Sequence, residues 1–303
     1  MVAPRPLGPR GEGGWRAATT WRPRGAPIPA GLGLGPAARR AGGALLLLRP
    51  ALRPRRGRVA AAVACGCFRK TMSWRSHGSD NRSLVEALAR NEIIATPSVE
   101  RAMLAVDRGD FVLDPRSAYY DSPQPIGHAA TISAPHMHAH CLELFAAHAK
   151  MGAKVLDVGS GSGYLCAVFA HMVGPSGKAV GVEHIPQLVE LSLQNLRKSA
   201  GHARMLEEGT IAVELTDGRE GAPREGPFDA IHVGAASPKV PLKLVEQLKP
   251  GGRLVVPVGP EGGGQELLVI DKDTQGRTTT RTAMGVVYVP LCERDHQLNK
   301  RWR

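Results

Sequence analysis

Nine residues constrain this chain more than any others: Val155-Leu156-Asp157-Val158-Gly159-Ser160-Gly161-Ser162-Gly163. An apolar, β-branched run ends abruptly in three glycines spaced two apart. Val155–Val158 predicts a buried strand. The apolar, proline-free run from Tyr164 to Met172 predicts the helix that follows. A strand that turns into a helix through glycines exposes backbone N–H groups at the helix N-terminus. Glycine is needed because the turn requires unusual dihedrals and a ligand must approach the backbone closely. In open α/β sheets such a crevice, at the carboxyl end of a strand, is where ligands bind. The spacing G-S-G-S-G is not the G-x-G-x-x-G of dinucleotide sites. Asp157 would repel a pyrophosphate but attract a cationic sulfonium or amino group. By itself the motif also fits a tight strand–helix turn that binds nothing.

Downstream, strand and helix patterns alternate. Residues 178–183, 210–215, 228–233 and 253–258 predict strands. The spacings Leu188, Val189, Leu191, Leu193, Leu196 and Leu242, Leu244, Val245, Leu248 predict helices, the second stopped by Pro250-Gly251-Gly252. Strict alternation means a parallel sheet with helices on both faces. Glu266–Ile270 and Ala283–Val289 follow with no helix between them, which predicts an antiparallel edge. Three carboxylates fall at strand ends. Glu183 ends the second strand, where an acid accepts from ribose hydroxyls. Asp217 ends the third, placed to accept from an exocyclic adenine amine, and Asp229 opens the fourth. An adenosine ligand with an amino-acid tail would satisfy Asp157, Glu183 and Asp217 together. Each one alone reads equally well as a helix cap or a surface charge.

Charge is divided unevenly along the chain. Residues 1–71 carry thirteen Arg, Lys70 and a single acid, Glu12, whereas the remaining 232 residues carry 25 bases and 26 acids. The overall excess of +12 therefore belongs to the N-terminal stretch and gives no reason to expect the rest to bind nucleic acid. That stretch, dense in Gly, Pro, Ala and Arg, predicts a disordered extension. It reads either as a mitochondrial transit peptide or, favoured here because its prolines oppose an amphipathic helix, as an extended start before a working initiator at Met72. Ala44–Leu48 is too short to span a bilayer. Five cysteines without a C-x-x-C pair point to a reducing compartment rather than a disulfide framework or a zinc site. Leu84, Leu88 and Ile93-Ile94 predict a helix capped by Ser79 or Asp80, and Pro97 opens a second. Residues 114–138 are broken by Pro115, Pro123, Pro125 and Pro135 yet carry Tyr119, Tyr120, Asp121, His128, Thr131, Ser133, His136 and His138. Such a polar, irregular segment inside a compact chain is usually functional or disordered, and its prolines with Ile126 and Ile132 argue for ordered. His136, His138 and His140 invite a metal reading, but nothing completes the ligand set, and a helix starting after Pro135 is simpler.

These residues carry a resemblance. Val155–Gly163 with Glu183 resembles the cofactor site of Rossmann-like methyltransferases that use S-adenosyl-L-methionine. Asp121–Gly127, Ala130–His138, Phe228–Ala235, Leu248–Leu254 and Met284–Leu291 resemble the protein L-isoaspartate (D-aspartate) O-methyltransferase family, from about Met72 to Arg303. The resemblance implies an α/β fold of the Rossmann-like class I methyltransferase type: a mostly parallel, doubly wound sheet with an antiparallel C-terminal edge, plus N-terminal helices. Residues 72–150 would hold those helices and the substrate loop, and 151–303 the cofactor-binding core. The implied reaction is methyl transfer to the stray carboxyl of isoaspartyl or D-aspartyl residues in damaged proteins and peptides. The ester then closes to a succinimide, and hydrolysis returns some normal aspartate. The resemblance also implies site roles. Ser133 would orient the substrate carboxylate, and Ala130, Thr131, Ile132, Ser133 and His138 would border the cofactor. Asp157, Gly159, Ser160 and Gly161 would hold its methionine part, and Glu183 with His184 would face the ribose. Asp217 and Gly218 would face the adenine, and Cys292 and Gln297 would close the C-terminal side. The other reading of Ser133 is a turn hydroxyl capping the helix after Pro135. The sequence departs from the family pattern at Glu183, where Asp is common, and at Cys292, which replaces Thr. It departs also at His128-Ala129, where an aromatic and Gln are familiar, and at Leu298, where Trp is.

Three rivals predict different things. A methyltransferase for small molecules or nucleic acid would label those acceptors, but the chain lacks an aromatic-Pro-Pro-type motif. A non-catalytic adaptor of the same fold would carry a large C-terminal extension, whereas Arg303 follows soon after the last predicted strand. A nicotinamide dehydrogenase would need the glycine spacing that is absent. The expected protein is a cytosolic monomer without metal, membrane or nucleic-acid partners.

Overall fold

Helices at the N-terminal side form where capping chemistry allows. In the computed structural model, which describes residues 76–299, Asp80 caps helix α1 (Asn81–Arg90) by accepting from the Ser83 N–H at 2.7 Å. Pro97 stands in the first turn of α2 (Pro97–Ala105), where its missing N–H has no partner to lose. The expectations for residues 1–71 and for a start at Met72 lie outside the described residues.

A seven-stranded sheet forms the body. Its strands are β3 (Lys154–Val158), β4 (Lys178–Glu183), β5 (Ile211–Leu215), β6 (Phe228–Val233), β7 (Leu248–Val258), β8 (Gln265–Lys272) and β9 (Thr278–Val286), in the order β5-β4-β3-β6-β7-β8-β9. The five strands from β5 to β7 are parallel, and β8 and β9 add antiparallel to the edge. Helices α4 (Tyr164–Val173), α5 (Pro186–Arg197), α6 (Ala200–Glu207) and α7 (Leu242–Glu246) fill the connections. Alternation along β3 divides the core between the two faces. Val155 joins a cluster with α2, α3 (Pro135–Phe145) and α4, whereas Leu156 and Val158 join a second cluster with Phe228, Ile231 and Leu244. The chain winds outward from β3 through β4 to β5, then crosses back to β6. The order of the strands therefore reverses beside β3, where a crevice opens at their carboxyl ends.

Four local expectations are corrected. Residues 124–132 are not irregular: β1 (Gln124–Gly127) and β2 (Ala130–Ile132) pair as an antiparallel hairpin. Its two-residue turn holds His128 and Ala129 at φ 49° and 58°. Such turns normally announce themselves with Asn or Gly, so His-Ala gave no signal. Helix α6 was missed because Gly201 and His202 interrupt its apolar spacing. Pro250-Gly251-Gly252 does not end a helix but forms a bulge inside β7, between the pairs Phe228↔Leu248 and Ala230↔Arg253. Strand β9 starts at Thr278, not Ala283, because β-branched threonines on an exposed edge extend as readily as valines, and it ends at Val286. Val287–Val289 leave the sheet instead, and the Ala236 N–H donates to Val289 O at 2.7 Å.

Candidate active site

The glycine turn after β3 lies in the crevice, but its first three amides are not left free for an anion. The Gly159 and Ser160 N–H groups both donate to Val182 O (2.9 and 3.1 Å), and that of Gly161 donates to Glu183 Oε2 at 3.2 Å. The loop is thus stitched to the end of β4, which fixes its shape. Gly159 (φ +75°) has open space where a Cβ would stand, on the cleft side.

Asp157 and His232 meet because period-2 alternation puts them on the same face and β3 pairs with β6 in that register. The His232 Nδ1–H donates to Asp157 Oδ1 at 2.7 Å, and the Cys166 thiol lies 3.6 Å from Oδ2. Both partners are buried, with 3% and 4% exposure. Burial opposes charge on the His232 ring, but hydrogen bonding to Asp157 and Cys141, together with the Asp157 charge, outweighs it and raises its pKa to about 10. At neutral pH, Asp157 is therefore half of an internal ion pair rather than a lone acid awaiting a cation.

Glu183, at the tip of β4, is equally well held. Its Oε1 accepts from the His184 and Ile185 N–H groups (2.8 and 3.0 Å) while Oε2 takes Gly161. The cleft beside it is lined by Ala130, Thr131, Gly159, Gly161, Glu183, His184, Gly218, Cys292 and Gln297. Helix α8 (Arg294–Asn299) closes it: the Gln297 amide pairs with His184 Nε2 at 2.8 Å and donates to His128 O at 2.9 Å. Asp217 is not part of this lining. Arg219 grips its carboxylate through Nη2 at 2.6 Å, and hydrogen bonding to Arg219 lowers its pKa. Gly218 lines the cleft in its stead, packed so that a Cβ would meet Val158 Cγ1 at 2.7 Å.

A second recess, continuous through Thr131, Gly159 and Gly161, is lined by Ile132, Ser133, His138, Asp157, Ser160, Tyr164 and His232. The Ser160 hydroxyl is buried there without a partner. Ser133 is shared with a third cavity, of about 370 Å³, bordered by Pro123, Met137, Gly262, Val287 and Tyr288. Helix α3 is capped at Ala134 with no side-chain bond, so the Ser133 hydroxyl is not spent as a cap. His136, at the helix start, is held by the buried Asp121, whose Oδ1 lies 2.7 Å from its Nδ1. Among the described residues no cluster of three or more His, Cys, Asp or Glu is placed to hold a metal ion.

All the expected site residues except Asp217 thus gather around one continuous cleft. Several of its residues went unrecognised in the sequence. His232 could have been found by counting in twos along β6. Tyr164, stacked on His138 with ring centroids 5.0 Å apart, could have been found at the first position after the glycines. Arg108, fully buried with Nη2 2.8 Å from Ser133 O, carried no signal, since a basic residue in a polar connection reads as surface.

Comparison with known proteins places this cleft in context. The family described as Protein-L-isoaspartate(D-aspartate) O-methyltransferase (PCMT) matches residues 79–296. Protein-L-isoaspartate O-methyltransferase 1 of Arabidopsis thaliana is 53% identical over 218 residues, covering 72% of this chain and 94% of the relative. The Caenorhabditis elegans protein-L-isoaspartate O-methyltransferase is 48% identical over 229 residues, covering 76% and 100%. A crystal structure of a Plasmodium falciparum PCMT in complex with S-adenosyl-L-homocysteine matches with a TM-score of 0.65 at 33% identity, covering 71% of this chain and 99% of that one. Matched over most of its described length by model, sequence and structure, the chain belongs to the protein-L-isoaspartate(D-aspartate) O-methyltransferase family.

Proposed function

We infer that this chain transfers a methyl group from S-adenosyl-L-methionine to the free carboxyl of L-isoaspartyl and D-aspartyl residues in damaged proteins and peptides, the first step of their repair. Family membership and relatives of that name sharing about half their residues with it support the activity. One observation of the structure carries the reading: Ser133 stands in the wall between the recess that holds the Asp157–His232 pair and the cavity bordered by Pro123 and Val287. A donor on one side and an acceptor on the other would meet there.

The residues present fit the cofactor. Gly159 leaves its backbone open to a ligand, Gly218 lies flat against Val158, and the buried Ser160 hydroxyl lacks a partner inside the protein. Glu183 would take the ribose hydroxyls with the lone-pair capacity its three amides leave. Gly218 and Leu291 would flank the adenine, and Asp157, Gly159, Ser160 and His138 would surround the amino-acid end. When bound, S-adenosyl-L-methionine supplies an electrophilic methyl on a sulfonium, itself a good leaving group.

The chain's own contribution is placement. A carboxylate is ionised at neutral pH, so no general base is required. Ser133 donates a hydrogen bond that orients the acceptor carboxylate, and Val289–Leu291 with Gln297 exclude water. Alignment of two partners in a closed site lowers a bimolecular barrier greatly. A methyl-transfer assay with an isoaspartyl peptide and its normal aspartyl isomer side by side tests this. Labelling of the first alone is expected, and equal labelling of both, or of neither, overturns it. We further place the protein in the cytosol as a monomer, on the near balance of charge beyond residue 71 and the unpaired Cys141, Cys166 and Cys292. Cell fractionation and size-exclusion mass measurement test that placement.

A further inference from the structure

Among the described residues Arg108 is the largest side chain with no exposure at all, in a 3-10 turn (Arg108–Phe111) that none of the site motifs contains. Its Nε donates to Ala118 O at 3.1 Å, Nη2 to Ser133 O at 2.8 Å, and Nη1 to His138 Nδ1 at 3.4 Å. Its Cζ lies 5.7 Å from the centre of the Tyr164 ring, and that ring stacks on His138. Among the described residues no carboxylate hydrogen-bonds to it or lies within ion-pair distance, although the charge of the buried Asp121 acts on it from farther away. A buried cation without an ion pair is a poor stabilising device, since apolar side chains of similar volume usually serve a core better. Everything the guanidinium contacts except Ala118 lies on the wall of the cleft.

We propose that Arg108 is a positioning residue for methyl transfer, which pins the Ser133 peptide and fixes the tautomer of His138. The chemistry of the guanidinium forces the second part. Arginine has only donors, so the His138 Nδ1 that faces it must accept. The proton of a neutral His138 ring then sits on Nε2, and His138 presents a hydrogen-bond donor. Burial first, and the Arg108 charge second, hold the His138 pKa well below its ordinary value, so the ring stays neutral. Burial lowers the Arg108 pKa only to about 10, which leaves it charged at neutral pH. The first part follows from the planar fork of the guanidinium. Two of its arms reach the carbonyls of Ala118 and Ser133, fifteen residues apart, and so hold the proline-broken segment against the cleft. Lysine, a point charge on a flexible stem, cannot hold both carbonyls and the ring nitrogen in one plane.

This inference rests on the methyl-transfer reading for its kinetic part but not for its spectroscopic part. Nitrogen-15 NMR of the histidine side chains in the full chain at pH 7 should show His138 as neutral with its proton on Nε2. A proton on Nδ1, or a charged ring, overturns the proposal without any variant. In Arg108→Lys and Arg108→Gln the expected result is a mixture of His138 tautomers. Per folded molecule, we also expect a kcat on an isoaspartyl peptide lower by about 10- to 100-fold, with peptide KM within about threefold, as for a positioning loss of one to two charge-assisted hydrogen bonds. A folded variant with kcat within twofold of the parent and an unchanged tautomer shows Arg108 to be structural only. Should Arg108→Gln fail to fold, the lysine variant and the parent's spectrum still decide. A parent protein inactive on isoaspartyl peptide would instead sink the functional reading and leave the tautomer result standing.

Discussion

The two sides of Ser133 are built on different principles. On the side proposed for the cofactor the acids are engaged within the protein: Asp157 is paired with His232, and Glu183 accepts from three backbone amides. The recesses there are tight, about 60 and 40 Å³. On the other side the cavity is about 370 Å³ and walled largely by Pro123, Ala134, Met137, Gly262, Val287 and Pro290. A small molecule that is identical at every turnover can be met by a rigid cradle whose acids are already held in place. A damaged residue arrives in a different peptide each time, and a wide apolar wall excludes water without demanding one sequence. With the proposed assignment of the two sides, the contrast would put specificity for the donor in fixed polar geometry and specificity for the acceptor in the placement of its carboxylate.

That contrast breaks first at Asp157. Asp157→Asn leaves His232 buried without its counter-charge, and removing one partner of a buried pair costs about 3–5 kcal/mol. Urea denaturation should show a loss of that order, together with loss of S-adenosyl-L-homocysteine binding in calorimetry. A loss below about 1 kcal/mol would show the pair to be dispensable. The same pair predicts a pH dependence. His232 has a folded pKa of about 10 against an ordinary 6.5. Its stabilising contribution is therefore complete below pH 6.5 and disappears as pH rises through 10. The melting temperature should fall across that window in the parent, and the fall should be absent from Asp157→Asn.

Ser133→Ala tests the boundary between the sides. Removing a hydrogen bond to a charged acceptor costs about 1.5–3 kcal/mol, so kcat should drop by about 10- to 150-fold while affinity for S-adenosyl-L-homocysteine is unchanged. An equal weakening of cofactor binding would place Ser133 wholly on the donor side. The smallest effect is expected at the roof. Gln297→Ala removes the tie from α8 to His184 and to the hairpin turn, each bond worth about 0.5–1.5 kcal/mol. Cofactor affinity should weaken by about 3- to 10-fold in a titration, with peptide KM unmoved. A change in peptide KM alone would show that α8 serves the acceptor side.

How much of this was legible in sequence depends on the range of the interaction. The glycine turn, the strand tips at Glu183 and Asp217, and the proline-broken stretch around Ser133 all declare themselves by local pattern. The hairpin turn at His128-Ala129 did not, because neither residue advertises positive φ, and its conformation is fixed by strand pairing and the Gln297 bond. Asp217 looked like Glu183 from sequence alone, since both read as acids at the end of a strand. Only the fold reveals that Arg219, two residues on, takes one carboxylate while backbone amides take the other.

The amino-acid sequence by itself determined the alternation of strands and helices and the antiparallel edge, because each is written in spacing over a few residues, and the family was legible only as a resemblance carried by longer motifs. What only the tertiary structure decided is the state of the polar groups. Asp157 is neutralised because β3 lies in register with β6, and Arg108 reaches Ser133 because a 3-10 turn 25 residues earlier packs behind it. Charge, tautomer and lone-pair occupancy depend on neighbours in space, and those neighbours are distant in the chain.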